Sequence, residues 1–229
     1  MAYSELVESL KGKLIVSVQA YPGEPMRHPE TMAQIARACE LGGAAAIRCQ
    51  GLSDISAIKG RVEIPVIGLW KEGHEGVYIT PTLRHARACI HAGADVVALD
   101  ATDRPRSDGR TFEETVATLR TESDVLIMAD CMTMDDIRRA VAAGCDLVST
   151  TLSHNKAAID TTLDDGPDIA LLQQATTEFP GIAIICEGHV HTPQDAKDAL
   201  DAGAWAVVSG TAITHPTSIT SWFAAALED

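Results

Sequence analysis

The chain lacks any apolar run approaching the roughly 20 residues that a membrane-spanning helix needs, which argues against an integral membrane protein of the helical kind. It is poor in positive charge: 18 Lys and Arg stand against 32 Asp and Glu, for a formal net charge of −14. That balance argues against nucleic acid and anionic membrane as partners. There is no C-x-x-C pair among the cysteines at positions 39, 49, 89, 131, 145 and 186. All six are expected to be reduced thiols, because disulfide frameworks suit small secreted domains. The first residues, MAYSELVESLKGK, show no basic segment followed by an apolar one, so no signal peptide is expected and the cytoplasm is the expected location. Linkers and low-complexity stretches are also missing. Lysine itself is scarce, with six in the chain, and one of them, Lys71, ends an apolar run where the chain must turn.

What is present is ordinary globular composition, 46% hydrophobic and 22% charged, in 229 residues. That length suits a single α/β barrel domain spanning residues 1–229. A phrase recurs: ELGGAAAIRCQ, HAGADVVALD, AAGCDLVST and DAGAWAVVSG. Each is a helix end, a glycine and a buried strand. The aligned glycines are Gly43, Gly93, Gly144 and Gly203, at intervals of 50, 51 and 59 residues. A helix commonly ends with one left-handed residue, which glycine adopts without strain. An interval near 50 is two βα units, so four such phrases predict eight units. The strands are expected at 14–20, 45–51, 66–71, 96–101, 125–130, 147–152, 183–188 and 206–212. Their near-continuous apolar character suits parallel strands covered on both faces. HPETMAQIARACEL and TPQDAKDALDAG carry proline in a first helical turn, and Thr80 before Pro81 is a candidate N-cap. His85 and His91 fall on that helix, where a solvated position is expected. Eight alternating units predict an α/β fold of the (β/α)8 TIM barrel type rather than an open sheet. The long connection SHNKAAIDTTLDDGPD is a candidate lid or oligomer contact, and Trp222 and Phe223 in the last helix are expected to pack on the barrel. That helix and residues 155–168 are the candidate contacts of a homodimer.

Barrel active sites lie at the C-terminal ends of the strands. The polar residues there are Gln19, Arg48 and Gln50, Lys71, Asp100, Asp130, Ser149 to Thr151, Glu187, and Ser209 with Thr211. Alternation places Lys71 on one face with Leu69 and Ile67, Glu187 with Ile185 and Ala183, and Asp130 with Met128 and Leu126. The three polar ends can therefore meet over one apolar floor. Burial lowers a lysine pKa and a nearby carboxylate raises it, so Lys71 is a candidate for proton transfer, with a structural ion pair as the plainer reading. Gly188, and Gly210 followed by Thr211, lie after strands seven and eight, where barrels often bind phosphate through backbone N–H groups. Cys186, His189 and His191 resemble metal ligands, but alternation turns Cys186 away from the Glu187 face. No metal and no cofactor is expected.

The motifs GGAAAIRCQG, PVIGLWK, VYITPT, ALDAT, MAD, VSTTLS, CEG and GTAIT run in order along nearly the whole chain. Together they resemble bacterial N-acetylmannosamine-6-phosphate 2-epimerases of sialic acid catabolism. The resemblance implies a TIM barrel that interconverts N-acetylmannosamine 6-phosphate and N-acetylglucosamine 6-phosphate. It further implies Lys71 and Glu187 as the catalytic pair, Gln19, Arg48 and Asp130 as sugar contacts, and Gly188, Gly210 and Thr211 as the phosphate region. The sequence departs from the family pattern at His189 and His215, where the family usually carries arginine. A Schiff-base aldolase, a metal-dependent sugar-phosphate epimerase and a non-catalytic sugar-phosphate-binding regulator are the competing readings.

Overall fold

The computed structural model describes residues 5–153 and 165–228. Its elements in chain order are α1 (Glu5–Ser9), β1 (Leu14–Val18), α2 (Pro29–Leu41), β2 (Ala46–Gln50), α3 (Leu52–Lys59), β3 (Val66–Leu69), α4 (Leu83–His91), β4 (Val96–Asp100), α5 (Phe112–Glu122), β5 (Leu126–Asp130), α6 (Met134–Ala142), β6 (Leu147–Ser149), α7 (Ile169–Glu178), β7 (Ile184–Glu187), α8 (Pro193–Asp201), β8 (Ala206–Ser209), α9 (Thr211–Thr214) and α10 (Pro216–Ala225). Each strand pairs in parallel with the next, and β8 returns to β1, so the sheet closes as a (β/α)8 TIM barrel. The four aligned glycines all adopt positive φ, from 77° to 105°, at the turn from helix to strand. Capping boxes start three of the helices, at Thr111 with Glu114, Thr133 with Asp136 and Thr192 with Asp195.

Two apolar layers hold the ring. Inside it, Ile15, Ile67, Leu69, Met128, Ala183, Ile185 and Val208 fill the barrel. Outside it, Val16, Ile47, Val97, Ile127, Ile184 and Cys186 meet the helices. Strand alternation divides the two sets as the sequence predicts. Gly68 faces outward, where a Cβ would stand 2.8 Å from both Ala94 Cβ and Ile55 Cδ1. Gly68→Ala is therefore expected to lose roughly 1–3 kcal/mol through overpacking. The check is a lower urea midpoint with an unchanged slope. Helix α1, which the sequence pattern did not reveal, plugs the N-terminal end: Val7 and Leu10 join the interior, and Trp205 Nε1 donates to Val7 O at 2.9 Å. The site is thereby confined to the opposite end.

Four expectations need correction or fall outside the description. Helix α4 is capped by Thr82, whose Oγ1 accepts from His85 N, and not by Thr80. Thr80 instead has φ 47° and accepts from Trp70 N, because the chain after β3 folds back as a short antiparallel hairpin. Glu72 N donates to Tyr78 O, and Lys71 bridges Ile79 across that hairpin. His85 is not solvated: it is 2% exposed, since the hairpin covers it and Trp70 lies with its ring centroid 4.3 Å away. Phe223 does not pack on the barrel but is 72% exposed, while Trp222 is half-buried beside His191. Most of the connection after β6, residues 154–164, lies outside the described residues, and with it the lid and oligomer-contact expectations.

Candidate active site

A cavity of about 670 Å³ opens at the C-terminal ends of the strands. It is lined by Gln19, Arg48, Lys71, Glu187, Gly188, Gly210 and Thr211 among others, so seven of the eight residues singled out from sequence come together. Asp130, the eighth, lies beneath the cavity with no exposed surface. Both its oxygens are taken by Arg48: Nη1 donates to Oδ1 at 2.9 Å and Nη2 to Oδ2 at 2.7 Å. Asp130 thus reaches the site through the guanidinium it holds.

Arg48 is 1% exposed, and its Nε lies 3.1 Å from Glu187 Oε1 on the far side of the ring. Thr151 Oγ1 sits between the two carboxylates, 2.9 Å from Asp130 Oδ1 and 3.0 Å from Glu187 Oε2. Ser149 Oγ is 2.7 Å from Thr151 Oγ1, which extends the network along β6. A buried guanidinium facing two acids satisfies the rule that interior charges be paired and hydrogen-bonded. With both acids ionised the cluster carries one net negative charge.

Lys71 stands over the edge of this cluster, half-buried, on the face that carries Ile67 and Leu69 below it. Burial, reinforced by the Arg48 charge, draws its pKa down to about 8 against the pull of Glu187 and Asp130. Among the described residues no carboxylate lies within 4 Å of its amine, so it is not locked in an ion pair. Strands β3 and β7 are four apart in the closed ring of eight, so Lys71 and Glu187 approach the mouth from opposite sides.

Burial pushes the Glu187 carboxyl above its ordinary value, and Asp130 adds to this, while Arg48, Thr151 and Lys71 oppose it. The unfolded carboxyl has its ordinary pKa near 4.5. Between that pH and the higher folded value the folded chain holds the extra proton, so stability falls as pH rises through this window. Glu187→Gln removes that loss. It is expected to be as stable as the parent below pH 4.5 and more stable at pH 8, as read by thermal melting.

Gly188 has φ 104°, which favours glycine, and Gly210 packs so closely on β1 that a Cβ would stand 3.1 Å from Ser17 Cβ. Thr211 opens the short helix α9 beside them. The two histidines expected to depart from the family pattern both line the cavity but differ in their partners. His189 lines the cavity, with φ 57°. His215 is buried, with Nδ1 2.7 Å from Ser218 Oγ and Nε2 bonded to Glu24, so both its nitrogens are engaged.

Sequence reasoning missed the loop residues of the site: Tyr21 and Arg27 after β1, His74 and Tyr78 after β3, and Arg104 after β4. None of these lies on a periodic segment, and strand ends alone gave no signal for them. Arg104 is paired with the buried Asp100 at 2.7 Å, which accounts for that acid's place among the polar strand ends. The cavity lining holds four cationic side chains, Arg27, Arg48, Lys71 and Arg104, against one carboxylate, Glu187. Arg48 and Arg104 are neutralised by Asp130 and Asp100, so Arg27 and Lys71 are the lining cations that hold no carboxylate among the described residues.

Comparison with known proteins points the same way as this geometry. A protein of Cutibacterium acnes named "Putative N-acetylmannosamine-6-phosphate 2-epimerase" is 57% identical over 97% of this chain and 96% of its own length. One of the same name from Corynebacterium glutamicum strain R is 48% identical over 98% and 97%. The solved N-acetylmannosamine-6-phosphate 2-epimerase of Clostridium perfringens superposes with a TM-score of 0.89 at 36% identity, covering 99% of this chain and 98% of that one. A thiamine phosphate pyrophosphorylase of Pyrococcus furiosus, at 14% identity and a TM-score of 0.62 over 95% and 93%, shares the fold alone. The family described as "Putative N-acetylmannosamine-6-phosphate epimerase" matches residues 32–229, which take in all the strand-end residues from Arg48 to Thr211. A barrel with this set of strand ends, aligned end to end with such relatives, belongs to the N-acetylmannosamine-6-phosphate epimerase family.

Proposed function

We propose that this protein interconverts N-acetylmannosamine 6-phosphate and N-acetylglucosamine 6-phosphate by inverting carbon 2. The observation that carries the proposal is the placement of Lys71 at the barrel mouth, with no carboxylate within 4 Å among the described residues, over the buried Arg48–Asp130–Glu187 cluster. A carbon-2 proton is acidic only when carbon 1 is a carbonyl, so the open-chain aldehyde reacts. Neutral Lys71 removes that proton. At pH 7 about a tenth of the amines are neutral, and at pH 8 about half, which is the poise a general base needs. The ammonium that forms is stabilised by the cluster beneath it, which becomes net negative as Glu187 gives up its proton. Glu187, its carboxyl raised by burial, passes a proton to the sugar oxygen where charge develops and takes it back. Arg48, fixed in place by Asp130, offsets the remaining charge, as preorganised groups do most effectively in a site that excludes water. A proton drawn from solvent water adds to the opposite face, and the Lys71 ammonium releases its own proton to solvent, which completes inversion and restores the neutral amine.

Gln19 is assigned to the sugar, and the 6-phosphate to the region of Gly188, Gly210 and Thr211. Arg27, which lines the cavity and holds no carboxylate among the described residues, supports an anionic substrate. No helix among the described residues is long and apolar enough to cross a membrane. The cytoplasm is the compartment this activity needs, because a phosphorylated sugar does not cross a membrane unaided.

The test is incubation with N-acetylmannosamine 6-phosphate, followed by proton NMR, with the unphosphorylated sugar alongside. Appearance of N-acetylglucosamine 6-phosphate, with a much slower reaction of the unphosphorylated sugar, is expected. An amine with a lowered pKa also suits a Schiff base. Borohydride added with substrate is expected to leave Lys71 unmodified by mass spectrometry. A reduced adduct on Lys71 would favour aldolase chemistry.

A further inference from the structure

The loop between β1 and α2 carries an aromatic ring to the amine. Tyr21 lines the cavity, half-buried, with Lys71 Nζ 5.5 Å from its ring centroid. A clasp holds the loop there. Tyr21 N donates to Glu24 Oε2 at 2.7 Å, and the other oxygen of Glu24 is bonded to His215 Nε2. His215 is anchored in turn by Ser218 of α10, 2.7 Å from its Nδ1, and its ring meets the Tyr21 ring edge-on at 5.5 Å. A continuous set of contacts therefore runs from the last helix through His215, Glu24 and Tyr21 to Lys71.

We infer that Tyr21, held by the Glu24–His215 clasp, is a positioning residue for Lys71, and that its ring keeps water from the amine and so favours the neutral, proton-abstracting form. The inference rests on the assignment of Lys71 as the base. Two effects of the ring oppose each other. Attraction of an ammonium to the ring face favours the charged form, but at 5.5 Å from the centroid the amine lies near the roughly 6 Å limit of that attraction. Exclusion of water favours the neutral form, and burial is the leading cause of the depressed pKa of Lys71. The distance weakens the first effect, so exclusion of water is the larger of the two. The charged groups facing Lys71 are Arg48 from β2, Asp130 from β5, Glu187 from β7 and Arg27 from the same loop as Tyr21. Those facing Tyr21 are Tyr78, Glu24, Glu187 and His215. Burial pushes the Tyr21 phenol up to about 12, so it does not compete as a base near neutral pH.

The experiment is the pH dependence of kcat/KM for the parent, Tyr21→Phe, Tyr21→Ala and His215→Ala, each checked for folding by thermal melting. The parent should show an acid limb near pH 8, reporting Lys71. Tyr21→Phe keeps the ring and should leave that limb in place. Tyr21→Ala admits water and should move it up by about one pH unit, towards the ordinary lysine value. His215→Ala should move it in the same direction by less. A limb near 8 in the parent that Tyr21→Ala leaves unmoved, or lowers, overturns the role of Tyr21 alone. A parent with no such limb overturns the assignment of Lys71, and the role of Tyr21 with it. A His215→Ala protein too unstable to assay does not affect the decision, which the two Tyr21 variants make.

Discussion

Lys71→Ala is expected to abolish deuterium uptake at carbon 2 and to lower epimerisation by roughly 10²–10⁴-fold, the range that a positioned general base supplies. The fold should survive. Among the described residues the amine holds no carboxylate within 4 Å, so its removal leaves no buried acid newly unpaired. Lys71→Arg should not rescue the reaction, because a guanidinium stays charged at every working pH and cannot accept the proton. The checks are proton NMR of the sugar for exchange and circular dichroism for the fold. Retained exchange in a folded Lys71→Ala protein would remove Lys71 from the role of base.

Asp130→Ala is expected to have the largest effect on stability. Asp130 is fully buried, and both its oxygens hold Arg48, itself 1% exposed. Removing one partner of a buried pair leaves a charge without its counterion, which costs about 3–5 kcal/mol. Here Glu187 remains 3.1 Å from Arg48 Nε, which places the expected loss at the lower end. The remaining Arg48–Glu187 pair would be free to shift, so activity should fall as well, by about 10²-fold or more as for loss of a preorganised donor. Asp130→Asn keeps the shape and one acceptor oxygen and should be intermediate in both measures. Urea denaturation and steady-state kinetics on the two variants separate the contributions.

The fold was legible because its repeat is physical. Each βα unit must end a helix, reverse the chain and bury a strand, and Gly43, Gly93, Gly144 and Gly203 mark those reversals with positive φ. Strand starts were read to within one residue, but most strand ends fall one to three residues sooner than the apolar runs suggest, as at Leu69 and Ser209. The residues past those ends answer to the cavity rather than to sheet pairing. Lys71 is such a residue: it bridges Ile79 of the returning hairpin instead of extending β3 alongside β4. The same hairpin explains the misreading of Thr80 and His85. A chain that doubles back over a helix start buries a side chain that helical periodicity alone leaves on the surface.

Of the site, the strand-end residues were legible because alternation fixes which side chains point inward. Tyr21, Arg27, Tyr78 and Arg104 were not, since loops carry no period and only tertiary contacts bring them to the mouth. The placement of His215 was equally beyond reach. Its partner Glu24 is 191 positions away in the chain, and only closure of β8 onto β1 makes them neighbours.

The most direct test of the central claim is incubation of the parent protein with N-acetylmannosamine 6-phosphate in heavy water until the two epimers reach equilibrium. If an amine at the mouth of the barrel takes the carbon-2 proton, both N-acetylmannosamine 6-phosphate and N-acetylglucosamine 6-phosphate should carry deuterium at carbon 2, and their proton signals at that position should vanish together. An equilibrium mixture of the two sugars with the carbon-2 protons intact would contradict the account.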